Sequence, residues 1–293
     1  MATPTRQGRE ALPLFIPAVA GVDVVVAILM LLLTPAVSRA QNGPWQFGSA
    51  PSFSSGKYGT DTRTEVLHTP ITARRLFADG DVTFVFPFTC IWGNGGVTVV
   101  NGSPVRQQRI ASSAGKAATS RTASESSGAA GNCGMGDIVV RGRYYVLDER
   151  AWLPTIAVRG HVKTPTASTE RGLGTGRLDE GIGIEVSRTI AGGSLAMADG
   201  GYTAIGKPAG VDYNNNWWYD VGLGQDLAKR VVNLSVFFEE CRALVPGLAN
   251  PRDILTAVSV TGAGGWRVQV SGEFGLSDGA PDRGFTFGAS RRF

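Results

Sequence analysis

Gly284-Phe285-Thr286-Phe287-Gly288-Ala289-Ser290-Arg291-Arg292-Phe293 closes the sequence. In an extended chain alternate side chains share a face, so Phe285, Phe287, Ala289 and Phe293 line up on one side. Thr286, Gly288, Ser290 and Arg292 fall on the other. Only Arg291 interrupts the apolar face. The stretch reads as a strand with one face against something apolar and one against water.

Working back from it, the same period of two recurs in segments of about ten residues. In 137–147, Ile138, Val140, Tyr144 and Val146 alternate with Asp137, Arg141, Arg143 and Tyr145. In 152–163, Trp152, Ile156, Val158 and Val162 alternate with Thr155, Arg159, His161 and Lys163. Segments 177–187, 231–239 and 266–274 repeat the pattern, with Glu185, Glu239, Arg267 and Glu273 on their polar faces. Twelve candidate strands emerge, near 44–54, 62–77, 81–92, 136–147, 151–163, 177–190, 194–205, 216–226, 230–240, 252–260, 264–275 and 284–293.

Alternation alone also fits a soluble sandwich. The connections separate the two. Those after strands two, four, six, eight and ten are short: 78–80, 148–150, 191–193, 227–229 and 261–263. The others are mostly long, including 93–135, 164–176, 206–215, 241–251 and 276–283. Tight turns on one rim and long loops on the other are the pattern of an antiparallel transmembrane β-barrel, with short periplasmic turns and long extracellular loops. Trp45, Trp92, Trp152, Trp217, Tyr219 and Trp266 fall at strand ends, where an interfacial aromatic girdle belongs. The terminal Phe293 resembles the signal by which outer-membrane barrels are handed to their assembly machinery. Arg291 weakens that match slightly, although a cation close to the interface costs only about 0–1 kcal/mol.

Composition agrees. Glycine supplies 40 of the 293 residues and charged residues only 18%. Glycine weakens helix interiors and suits twisted strands and loops. A formal charge of +4 with scattered basic residues gives no phosphate-tracking surface, so nucleic acid is not an expected partner.

The N-terminus has its own pattern. Arg6 and Arg9 precede the apolar run from Val24 to Leu33, Thr34-Pro35 breaks it, and Ser38-Arg39-Ala40 offers small residues for cleavage. The run is about half of the ~20 residues a helix needs to span a bilayer. Residues 1–40 thus read as a cleaved secretory signal, leaving 41–293 as the barrel of a Gram-negative envelope protein. In an oxidising compartment a Cys90–Cys133 bridge would clamp the root of loop 93–135 and leave Cys241 over, although spacing alone does not fix the pairing. The Gly, Ser, Ala and Thr of that loop, with Lys116 and Arg121, favour a mobile surface loop over an inward plug.

Catalytic and metal chemistry finds little support. Only His68 and His161 are present, no paired-cysteine spacing offers a metal site, and no Gly-x-Ser-x-Gly elbow occurs. Gly172-Leu173-Gly174-Thr175-Gly176 lacks the strand–turn–helix setting of a dinucleotide site, so no cofactor is expected. A barrel-embedded hydrolase needs a histidine coupled to Ser, Asp or Asn; His161 lies in a basic row and His68 has no evident partner.

Several segments resemble the outer-membrane transporter family named after the meta-pathway of phenol degradation. They are Ser54-Ser55-Gly56-Lys57-Tyr58-Gly59, Val162-Lys163-Thr164-Pro165-Thr166 with Gly172-Leu173-Gly174-Thr175-Gly176, Gly201-Tyr202 with Ile205-Gly206-Lys207-Pro208, and 275–282. The resemblance implies a barrel passing small, aromatic or hydrophobic compounds across the outer membrane.

The combined expectation is a non-enzymatic outer-membrane channel bathed in lipid. Arg141, Arg143, Arg159, His161, Lys163, Glu185, Asp220, Glu239, Arg267 and Glu273 would line its lumen. Opposed charge rows on neighbouring strands would hold water there. The same residues in purely structural ion pairs would give a non-conducting barrel that binds a partner through 93–135. The leader reading has a direct test. N-terminal sequencing of protein recovered from outer membranes should begin at Gln41, and a start at Met1 overturns it.

Overall fold

The computed structural model describes residues 43–93, 97–100, 103–106, 131–228 and 231–293. The signal segment 1–40 and, within the long loop, Lys116 and Arg121 lie outside the described residues. Sixteen strand segments carry the fold. In chain order they are β1 (Trp45–Ser49), β2 (Ser52–Gly56), β3 (Thr64–Leu76), β4 (Gly80–Trp92), β5 (Val97–Val100) and β6 (Ser103–Arg106). Then come β7 (Asn132–Met135), β8 (Val139–Leu147), β9 (Thr155–Lys163), β10 (Asp179–Thr189) and β11 (Ser194–Ala204). The last five are β12 (Asn216–Leu227), β13 (Val232–Cys241), β14 (Arg252–Thr261), β15 (Trp266–Gly275) and β16 (Arg283–Arg292).

β1 with β2 and β7 with β8 form single staves, each broken once, so the wall has twelve antiparallel staves. It closes because β1 pairs with β3 on one side and with β16 on the other, Phe47 lying opposite both Ala73 and Arg291. Closure leaves no sheet edge, which is the condition for putting strands in hydrocarbon. The breaks fall where the backbone can tolerate them. Pro51 and Pro87 lie at or opposite the two interruptions, and Pro70 faces Pro87 between them. A proline has no N–H to orphan. Its carbonyl is still used: Phe287 N donates to Pro51 O at 3.1 Å and Gly136 N to Pro87 O at 2.8 Å.

Tight turns are built by glycine where left-handed backbone is required. Ala191-Gly192-Gly193 and Ala263-Gly264-Gly265 make the same turn, with φ of 74° and 82° in the first and 67° and 77° in the second. Glycine adopts that region without a Cβ penalty. The short-turn rim thus holds 77–79, 190–193, 262–265 and both described ends of the chain.

The outer face is apolar and open. Ile182, Ile184, Val221, Leu223, Leu234, Val236 and Val258 are all exposed there. A water-soluble protein does not show so wide an apolar band, whereas a barrel in lipid requires one. The chain is therefore an outer-membrane β-barrel. No helix among the described residues is long and apolar enough to cross a membrane, which leaves the strands as the spanning elements.

Two expectations need correction. Residues 151–154 do not extend the fifth stave. Arg150 and Leu153 bond each other, Leu153 N donating to Arg150 O at 2.7 Å, and Pro154 cannot join a ladder as a donor. Trp152 consequently sits on the turn tip, 74% exposed. Within 93–135, the segments β5 and β6 pair as a hairpin. Val97, Thr98 and Val99 are buried, and Val99 N donates to Gly172 O at 3.0 Å. The β-branched run Val97-Thr98-Val99-Val100 outweighs the loop's overall composition locally.

Cys90 on β4 stands opposite Cys133 on β7, and their sulfurs are bonded. Cys241 is free. Alkylation of the unfolded, unreduced protein should label Cys241 alone, and all three cysteines only after reduction. Labelling of three without reductant would show that the bridge does not form.

Candidate functional site

Strand alternation sends one face of every stave inward, and the enclosed space is a cavity of about 1620 Å³. All ten charged residues expected in the lumen, Arg141, Arg143, Arg159, His161, Lys163, Glu185, Asp220, Glu239, Arg267 and Glu273, border it. Arg74, Asp81, Asp199, Trp218 and Asp253 border it as well. Asp199 escapes sequence reasoning because alanine and glycine dilute the apolar face of β11, and Asp253 because Leu255 and Ala257 share its face of β14.

The charges are sorted into two sectors rather than alternating between neighbouring staves. Most basic groups lie on β3, β8 and β9. The acids form a row in register: Glu185 faces Asp199, Asp199 faces Asp220, Asp220 faces Glu239, and Glu239 faces Asp253. Glu273 follows on β15, two residues from the position opposite Asp253. Like charges directly opposite one another are unfavourable, so such a row persists only where something else satisfies it.

Its first members are satisfied by the facing sector. Arg143 reaches Glu185 at 3.0 Å and Asp81 at 3.1 Å, and Arg74 completes the chain with Asp81 at 2.6 Å. Arg159 pairs with Asp199 and lies 4.3 Å from the Trp218 ring centre. Asp220, Glu239, Asp253 and Glu273 make no ion pair among the described residues, and Asp253 and Glu273 each keep an oxygen without a hydrogen bond. Arg141 is the basic counterpart. It lies opposite His161 and beside Arg159 with no carboxylate partner among the described residues. The two histidines touch hydroxyls: His68 Nδ1 is 3.0 Å from Thr89 Oγ1, and His161 Nε2 is 3.4 Å from Thr203 Oγ1. Arg267 donates to Ser259 at 3.2 Å.

Close approach explains two glycines of this wall. A Cβ on Gly201 would sit 2.5 Å from the Trp218 ring, and one on Gly181 would sit 2.1 Å from the His161 ring. The missing Cβ atoms let both rings lie flat against the barrel wall.

The long-loop mouth is held by a buried ion knot. Lys163 Nζ meets Asp179 at 2.8 Å, Asp137 at 2.9 Å and the Thr175 hydroxyl at 3.1 Å. Asp137 also accepts from Ala167 N at 2.9 Å, and Asp179 from Gly206 N at 2.8 Å. One lysine thus ties the break at 136–138 to loops 164–178 and 205–215. Gly174 is required beside it, since a Cβ there would come within 2.7 Å of the Asp137 carboxylate. Around the knot the mouth is apolar. Val66, Ile91, Val99 and Leu173 form one buried cluster, and Ile205, Tyr213 and Leu244 another. Tyr58 plugs a third corner, donating to Ser54 Oγ at 2.7 Å, and burial pushes its phenol above the usual tyrosine range.

Among solved structures, an outer membrane channel from Pseudomonas putida F1 superposes with a TM-score of 0.61 at 10% identity, covering 89% of this chain and all of that one. The P. putida toluene transporter matches less closely, at TM-score 0.43 and 10% identity over 87% of this chain and 80% of that one. A monoaromatic hydrocarbon channel gives 0.44 and 8% identity, with 95% of each chain covered. No family model and no curated protein sequence matches. The shared property is the fold.

The ion knot sets a stability prediction. Lys163→Met leaves two buried carboxylates unpaired, and breaking a buried pair from one side costs about 3–5 kcal/mol. Urea unfolding of the detergent-folded barrel, followed by tryptophan fluorescence, should show a loss of that size. An unchanged midpoint would mean that the knot is not a clamp.

Proposed function

We propose that the barrel is a passive outer-membrane channel for small solutes, with aromatic or otherwise hydrophobic compounds as its cargo. The observation that carries the reading is an interior space of about 1620 Å³ bordered by acidic groups, Glu239, Asp253 and Glu273, that make no ion pair among the described residues. A purely structural lumen would pair them, because buried unpaired charge is costly. Asp220, Glu239, Asp253 and Glu273 all border this space, Asp253 and Glu273 as buried members of its wall.

The apolar mouth supports the choice of cargo. Val66, Val99 and Leu173 give the cavity an apolar border at the long-loop end, and Trp218, lying against Gly201, adds an aromatic ring to its wall. The resemblance to the meta-pathway family, and the fold shared with an outer membrane channel, point the same way. In this reading the leader 1–40 directs export and the strand ending at Phe293 is recognised by the assembly machinery. No catalytic step is involved: the wall supplies a polar path, with more uncompensated negative than positive groups.

A second reading has its own observation. The chain Arg74–Asp81–Arg143–Glu185 crosses from stave to stave inside the barrel, and such ion pairs also suit a non-conducting structural barrel. Planar-bilayer recording separates the two. The purified barrel should conduct and favour cations over anions. Glu239→Gln with Asp253→Asn should shift the reversal potential in a salt gradient toward the anion side while channels still open. Absence of both conductance and toluene uptake into vesicles would overturn the channel reading.

A further inference from the structure

Arg291 is the one residue of the last strand that spoils its apolar face, and the lumen does not use it. It points outward with Phe285, Phe287 and Phe293, at the short-turn rim. There its guanidinium lies 4.8 Å from the Phe293 ring centre and 5.5 Å from that of Trp266. Arg75, on the outer face of β3, does the same over Trp45 at 5.3 Å. Trp45 stacks on Phe47 at 5.9 Å, and Phe47 meets Phe293 edge-on at 6.0 Å. The result is an unbroken outward belt across four neighbouring staves: Arg75, Trp45, Phe47, Phe293, Arg291, Trp266. It covers the seam where the first stave closes on the last, with one arginine on each side of β1.

The belt has an electrostatic remainder. Among the described residues no carboxylate, the C-terminal one included, pairs with Arg75 or Arg291, and Nε of Arg291 has no hydrogen-bond partner. Aromatic faces orient a guanidinium without neutralising it. From strand spacing and rise, the two Cα atoms are about 12 Å apart, so one headgroup lying over β1 is within reach of both long side chains. Aromatic girdles mark the level of lipid headgroups, and planar guanidinium forks match phosphate oxygens in pairs.

We propose that the outer face of the closure seam is a binding site for the phosphate of an anionic glycerophospholipid in the leaflet facing the short turns. Arg75 and Arg291 hold the headgroup while Trp45, Phe47 and Trp266 cover the upper acyl chains. The lipid then bridges β3, β1 and β16 from outside. This site is independent of what the lumen conducts.

The test uses the whole barrel in neutral detergent, titrated with phosphatidylglycerol or phosphatidylcholine and read by native mass spectrometry. Wild type should retain phosphatidylglycerol preferentially. Arg75→Gln with Arg291→Gln should lose roughly fivefold in affinity per arginine, about 1 kcal/mol each. Arg75→Lys with Arg291→Lys should keep part of the preference, since charge remains but the fork is lost. Heat-modifiable gel mobility reports that each variant is folded. If neither double variant folds, brominated phosphatidylglycerol should still quench wild-type tryptophan more strongly than brominated phosphatidylcholine. Equal retention of the two lipids by wild type, or the same preference in the Gln variant, overturns the proposal.

Discussion

A peptide group in hydrocarbon has no water to bond, so every N–H and C=O in a spanning segment must find its partner in the protein. The rest of this structure follows from that demand. A single sheet can meet it only by closing, and closure here depends on β1, a five-residue strand held between β3 and β16. Where the ladder lapses, at 50–51 and 136–138, prolines stand at or opposite the gap, so fewer donors face lipid unbonded. The second gap also frees Asp137 to turn inward, and the ion knot at the mouth depends on that turn.

Closure creates an inside as well as an outside, and the inside has its own accounting of charge. Arg143 and Arg159 are spent on Glu185, Asp81 and Asp199, which ties β4 and β8 to β10 and β9 to β11. Further round, Glu239, Asp253 and Glu273 are left without an ion pair among the described residues. The contrast divides the lumen into a paired sector and an unpaired one. Glycines at 181 and 201 serve the same interior by giving the His161 and Trp218 rings room to lie flat. Rim and lumen also share a logic, since arginines on both faces of the wall are ordered by aromatic rings.

The fold was largely legible in advance because barrel strands obey a strict period of two and the alternating loop lengths sort the two rims. The sequence places the strand ends to within a few residues at most positions. The exceptions are local. Pro154 stopped the fifth stave at Thr155, and the short run 97–100 folded where average composition suggested looseness. A window average hides four β-branched or apolar residues; a folded hairpin does not.

The interior was legible by residue and not by partner. Alternation by itself determined that Arg141, Arg143, Arg159, His161, Lys163, Glu185, Asp220, Glu239, Arg267 and Glu273 share the inner face, and that Arg291 does not. Only the tertiary structure decided which of these charges meet. Register across strands is set by closure and turn geometry, and a shift of two residues would keep every side chain on its face while re-pairing all of them. That Lys163 gathers Asp137, Asp179 and Thr175, while Asp253 and Glu273 stay unpaired, is a property of register, and register belongs to the closed barrel.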